Sequence, residues 1–310
     1  MPPSNPGSPM VGSIRLFRLA GVTVHLHWTW LIVAYIAVRY RADQYGSLVW
    51  NVAEYLALFG IVLLHEYGHA LACRSVGGRA DHIVLWPLGG IAFVAPPPRP
   101  GALLWSIVAG PLVNLVLVPV TFGILILAAS MGLEESSPDA FRFVWSVTYI
   151  NLLLLIFNML PVYPLDGGQT LQALLWFVVG RARSLLIVSV IGLVVGVAVF
   201  VVAAVVYQDI WYMVLAGFVV LRSMDGFRVA RSLAKVDDLS RRPEAVCPSC
   251  GANPPRGDLW VCGQCRTAFD TFEQRGVCPG CGATFPVTAC PECHQASPIG
   301  RWFAEADRGR

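Results

Sequence analysis

His65-Glu66-Tyr67-Gly68-His69 puts two imidazoles four residues apart with a carboxylate between them. On a helix, positions i and i+4 share one face, about 6 Å apart at the backbone. Two histidines at that spacing can hold a zinc ion, and Glu66 can take a proton from a zinc-activated water. The pentad closes a charge-free run, Leu56 to Leu64. Ionisable groups at bilayer depth are costly and therefore usually functional. This constellation predicts a zinc hydrolase whose active site lies in a membrane.

Two histidines leave a catalytic zinc one protein ligand short. Asp166 supplies the candidate, in Asn158-Met159-Leu160-Pro161-Val162-Tyr163-Pro164-Leu165-Asp166-Gly167-Gly168, at the end of a second charge-free run. Pro161 and Pro164 are expected to break the helix there, and Gly167-Gly168 to let the chain turn tightly beside a metal.

The elements that must position these groups are membrane spans. The 310 residues are 56% hydrophobic and 13% charged, with a mean hydropathy of +0.62, a composition that excludes an ordinary soluble domain. Crossing a bilayer core of ~30 Å takes about 20 helical residues. Six spans are predicted, near 26–40, 49–72, 102–130, 143–161, 184–206 and 209–222. Between the second and third, Ile83 to Val94 is rich in β-branched residues and broken by Pro87 and Gly89-Gly90. It reads as a hairpin or re-entrant loop, lined by protein or water. Residues 1–10 read as a disordered lead-in without a cleavable signal, and 231–246 as a linker.

Orientation follows from basic residues flanking the spans. Arg15, Arg18, Arg74, Arg79, Arg99, Arg181, Arg183, Arg222, Arg228, Arg231 and Lys235 fall on one side, against Arg39, Arg41 and Arg142 on the other. The richer side is cytoplasmic. It holds both termini and the ends of the spans that bear His65, His69 and Asp166.

Eight of the nine cysteines form C-x-x-C pairs in residues 247–310: Cys247/Cys250, Cys262/Cys265, Cys278/Cys281 and Cys290/Cys293. Such pairs are a metal signature and suit a reducing cytosol better than a disulfide framework. Eight thiolates make two tetrahedral zinc sites. Pairing could be sequential, nested or interleaved, and sequence alone does not choose, though the repeated CPxCG-then-CxxC order favours sequential ribbons. Charge in this tail is mixed, so a protein partner ranks above nucleic acid. His294 is an alternative ligand, and Cys73 reads as a small core residue.

HEYGH on the second span followed by N-x-x-P-x-x-P-L-D-G-G on the fourth resembles the site-2 protease family of intramembrane zinc metalloproteases, over residues ~10–230. The resemblance implies His65, His69 and Asp166 as zinc ligands and Glu66 as catalytic acid/base. It also implies a membrane-spanning protein as substrate, and a prokaryotic cell membrane as the location. Ala109-Gly110-Pro111-Leu112-Val113-Asn114 and Leu88-Gly89-Gly90-Ile91 resemble further family motifs. Asn114, Asn158, Gly89 and Gly90 are accordingly candidates for holding substrate. The fold class expected is an α-helical polytopic membrane domain, 11–230, with a re-entrant β-hairpin and a small zinc-ribbon-like domain, 247–310. The competing reading is a catalytically silent membrane receptor acting through its zinc tail.

Overall fold

The computed structural model describes residues 12–40, 42–86, 89–293 and 295–308. The expected lead-in 1–10, Pro87, Leu88 and His294 lie outside these residues. The chain divides into two compact units, Pro9–Arg228 and a unit containing Val229–Arg310.

The first unit opens with β1 (Ser13–Leu19) and β2 (Val22–His27), followed by α1 (Thr29–Tyr40) and α2 (Leu48–Ser75). Next come β3 (Arg79–Trp86), β4 (Gly89–Ala95), α3 (Pro100–Ser130), the short α4 (Leu133–Ser136) and α5 (Pro138–Asn158). It ends with α6 (Asp166–Val179), α7 (Arg181–Val202), which continues as a π turn over Ala203–Tyr207, and α8 (Ile210–Asp237). Five helices among the described residues are long and apolar enough to cross a membrane: α2, α3, α5, α7 with its π turn, and α8. The sixth expected span, 26–40, divides into the end of β2 and α1, whose 12 residues extend only ~18 Å. The span placed at 209–222 is longer than expected. It continues as helix through Asp237, into what the charged composition suggests is a linker. Trp30 is buried against Tyr55 and Phe59.

The expected hairpin is β3–β4, and it is half of a four-stranded sheet ordered β1-β2-β3-β4. β2 runs parallel to β3, with Val24 opposite Ile83 and Leu26 opposite Leu85. Val22, Val24 and Leu26 alternate with Thr23, His25 and His27, and the apolar set packs with Ile83 and Leu85 against Val62, Ala70 and Cys73 of α2. That alternation is the half-buried strand pattern. On the other face, His25 Nε2 lies 3.3 Å from His82 Nδ1, while His27 Nδ1 pairs with the Thr29 hydroxyl. Ser47 caps α2 by accepting the Val49 N–H. Glu54 is buried and accepts the hydroxyl hydrogen of Tyr45.

The second unit contains β5 (Trp260–Val261), β6 (Ala268–Phe269), β7 (Val287–Ala289), β8 (Ala296–Pro298) and α9 (Ile299–Arg308). Its largest buried side chains, Phe272 and Trp302, stack edge to face with centroids 4.9 Å apart. Asp270 ties the unit together. One of its oxygens accepts from Arg242 at 2.5 Å and the Gly257 N–H at 2.9 Å, and the other accepts from the N–H groups of Phe272 and Glu273.

Candidate metal centre and acid/base residue

α2 delivers His65, Glu66 and His69, all buried, from one helix. α3 crosses α2 closely enough that a Cβ on Gly68 would stand 2.6 Å from the Ala109 carbonyl oxygen. A Cβ on Gly110 would stand 2.3 Å from His69 Nε2 and 2.8 Å from His65 Nε2. Glycine at these positions is thus required by space, at the point where the two helices approach the histidines.

Asp166 reaches the same place from the first position of α6. Its Oδ2 lies 3.0 Å from His65 Nε2 and 3.4 Å from His69 Nε2, and the two Nε2 atoms are 3.0 Å apart. Gly167 and Gly168 do not form the turn the sequence suggests. They sit in the first turn of α6, where added Cβ atoms would come 2.4 Å from the Leu160 carbonyl oxygen and the Tyr163 nitrogen. Their contribution is close approach of the 159–165 connection.

The outward nitrogens of both imidazoles are occupied. His65 Nδ1 is 2.5 Å from Asn114 Oδ1, and His69 Nδ1 is 2.9 Å from the Ser106 carbonyl oxygen. The Asn114 amide is oriented by Asn151, which accepts from Nδ2 at 2.8 Å and donates to the Asn114 carbonyl at 3.1 Å. Both acceptors require a proton on Nδ1, which leaves a lone pair on each Nε2. Asp166 Oδ2 is buried and receives no hydrogen bond among the described residues. With both imidazoles neutral, three lone pairs converge here. The separations match tetrahedral zinc, for which ligands at ~2.05 Å stand ~3.3 Å apart.

Glu66 Oε2 accepts the Ala92 N–H of the edge strand β4 at 2.9 Å. Gly90 lies over the same carboxylate, since a Cβ there would stand 2.3 Å from Glu66 Cγ. Gly89 pairs with Trp86 at the hairpin end. Asn114 is fully buried, and its side chain is bonded to His65 and Asn151. Asn158 is half-buried at the end of α5, and its side chain makes no hydrogen bond among the described residues. Asn151 and the Ser106 carbonyl are support groups that the sequence reading missed. An asparagine inside the run Ile150 to Leu155 was the available signal for the first; a backbone carbonyl leaves none.

In the tail the cysteines assemble as two groups, Cys247/Cys250/Cys290/Cys293 and Cys262/Cys265/Cys278/Cys281. The pairing is nested, which corrects the sequential ribbons expected from motif order. Sulfur separations across the groups are 3.7 and 3.8 Å in the first and 3.6 and 3.5 Å in the second. These are far longer than a disulfide and close to the ~3.8 Å of two thiolates on one tetrahedral zinc. Three of the four knuckles repeat one backbone form: the Cys247, Cys262 and Cys278 carbonyls accept from Gly251, Arg266 and Gly282, all at positive φ. The Thr267 hydroxyl, 3.2 Å from Cys265, and its backbone N–H pull that thiol down to about 6.

Residues 53–145 and 134–203 match peptidase family M50. Over 180 residues the chain is 32% identical to the zinc metalloprotease MJ0392 of Methanocaldococcus jannaschii, covering 58% of this chain and 50% of that protein. Over 151 residues it is 32% identical to the stage IV sporulation protein FB of Bacillus subtilis, covering 48% and 46%. The chain thus spans about half the length of these curated relatives. Among solved structures it is similar to the site-2 protease from Methanocaldococcus jannaschii, with 25% identity and a TM-score of 0.51, covering 69% of this chain and 95% of that one.

Proposed function

The chain belongs to peptidase family M50, and on that premise we propose that it is an intramembrane zinc endopeptidase cutting in or beside a transmembrane segment of a membrane-tethered protein. The observation that carries the proposal is the convergence of His65 Nε2, His69 Nε2 and Asp166 Oδ2 beside a carboxylate bonded to an edge strand. His65, His69 and Asp166 are the zinc ligands in this reading, and Glu66 is the acid/base. Bound there, zinc would acidify a water and polarise the scissile carbonyl. Glu66 takes the proton of the attacking water on its carboxylate and later returns it to the leaving amide nitrogen. Its bond to the Ala92 N–H fixes that carboxylate against β4, the strand whose Gly89–Phe93 edge suits pairing with an unwound substrate.

The two cysteine groups hold one structural zinc each, and the tail serves a protein partner. In this reading the C-terminal tail lies in the cytosol, as the arginine distribution suggests, and the spans lie in a prokaryotic cell membrane. The substrate is a membrane protein processed for regulation or removed as a remnant.

The test uses the full-length protein and a membrane-tethered reporter substrate. Glu66→Gln should abolish cleavage while elemental analysis still finds three zinc per chain, and His65→Ala with His69→Ala should leave two. Cleavage at the wild-type rate by Glu66→Gln would overturn the assignment. A wild-type chain that holds two zinc and cuts nothing would favour the receptor reading.

A further inference from the structure

His65 and His69 are set by a long helix, whereas Asp166 hangs from the 159–165 connection between α5 and α6. Whatever fixes that connection fixes the third ligand. Tyr163, three residues before Asp166, is gripped at its backbone and at its ring. The Ser223 hydroxyl of α8, fully buried, donates to the Tyr163 carbonyl oxygen at 3.1 Å. On α7, a Cβ added to Gly192 would stand 2.5 Å from that same oxygen. On α8, a Cβ added to Gly226 would stand 2.9 Å from the Tyr163 ring. From the opposite side, Gly168 leaves no room for a Cβ against the Tyr163 nitrogen. Three glycines and one serine, drawn from three helices, thus shape a slot for a single residue.

We infer that Tyr163, clasped by Ser223, Gly192 and Gly226, is a positioning residue that sets Asp166 into the metal centre, so that the α7–α8 pair governs its zinc affinity. The inference rests on the zinc reading of His65, His69 and Asp166. Its physical basis is that a ligand's supporting contacts typically change metal affinity by about 10–100-fold when removed. Ser223→Ala leaves the carbonyl of half-buried Tyr163 without that hydroxyl donor, and Gly226→Ala places a methyl against Ser189 Oγ of α7 and the Tyr163 ring. By linkage, displacing α8 from Tyr163 weakens zinc binding by the factor by which bound zinc resists the displacement. α8 continues unbroken from Ser223 to Asp237, so force applied to its cytosolic end acts on the same helix that grips Tyr163.

Gly196 provides the control. A Cβ there would meet Val219 and Val220 of α8 at 3.1 and 3.0 Å, in the same helix pair but with no contact to Tyr163. Full-length wild-type, Ser223→Ala, Gly226→Ala and Gly196→Ala proteins are titrated with a zinc chelator. His65→Ala identifies which zinc belongs to the membrane site. Ser223→Ala and Gly226→Ala should each weaken that zinc by about 10–100-fold, with the cysteine-bound zincs unchanged and cleavage restored by excess zinc. Gly196→Ala should keep wild-type zinc affinity even if its melting temperature falls as far. Wild-type affinity in both clasp variants, or an equal loss in Gly196→Ala, overturns the inference and leaves the zinc site standing. If His65→Ala releases no zinc, the site reading and this inference fall together.

Discussion

At the scale of single residues, the centre depends on atoms with no room for alternatives. Asn114 fixes the His65 tautomer only because Asn151 fixes Asn114, and all three are buried. Asn114→Ala should leave the His65 Nδ1–H without its acceptor and lower zinc affinity by about 10–100-fold, measured by chelator competition. Unchanged affinity would mean the network is mere packing. Gly90→Ala tests the other half of the site. Its methyl would overlap Glu66 and not the histidines, so zinc content should stay at wild type while kcat falls by roughly 10²-fold or more. Loss of zinc in that variant would show that the hairpin supports the ligands as well. That His65, His69 and Asp166 would meet beside Glu66 was legible because residue type and spacing suggest shared chemistry. Asn114 was legible as a polar outlier in an apolar span, but not as a support, because its partner lies 49 residues away in sequence.

At the scale of elements, legibility followed length. Spans of 21 to 31 residues announce themselves by composition, and α2, α3, α5 and α7 lie close to where the apolar runs put them. β1 and β2 are 7 and 6 residues, and β2 merges with the apolar start of α1, so a hydropathy count absorbs it into a span. The period-2 alternation of Val22, Val24 and Leu26 was the better guide. Knuckle pairing was illegible for a different reason. Three of the four C-x-x-C turns share nearly the same local form, so which turns meet is decided by the rest of the unit, chiefly the Phe272–Trp302 core and the Asp270 hub. Nested pairing makes a countable prediction by native mass spectrometry. Replacing Cys247 and Cys290 by serine should remove one zinc, because both serve one site. Replacing Cys247 and Cys262 should remove two. The reverse result would restore the sequential arrangement.

At the scale of the whole molecule, the two units meet opposite energetic problems. The membrane unit buries its polar centre inside helices whose backbone hydrogen bonds are satisfied within each helix, so its fold does not depend on metal. The cysteine unit has strands of 2 and 3 residues and cores of a few side chains each. A domain of that size rarely holds itself together by burial alone. Structural zinc in small domains contributes an apparent ~10–16 kcal/mol, which is folding free energy when no site exists in the unfolded chain. Removing zinc with a strong chelator should therefore make residues 247–298 sensitive to limited proteolysis while α2, α3, α5 and α7 remain intact. The buried Arg242–Asp270 pair sets a second threshold. Asp270→Ala leaves a guanidinium that is 8% exposed with only Glu244, 3.4 Å away, as an ionic partner, at a cost below the ~3–5 kcal/mol of a buried charge left with none. That variant should lose its cysteine-bound zinc at lower chelator concentration than wild type, with zinc at the His65 centre unaffected. Protection of 247–298 after complete zinc removal would show instead that the Phe272–Trp302 core suffices, and that the cysteine groups serve something other than folding.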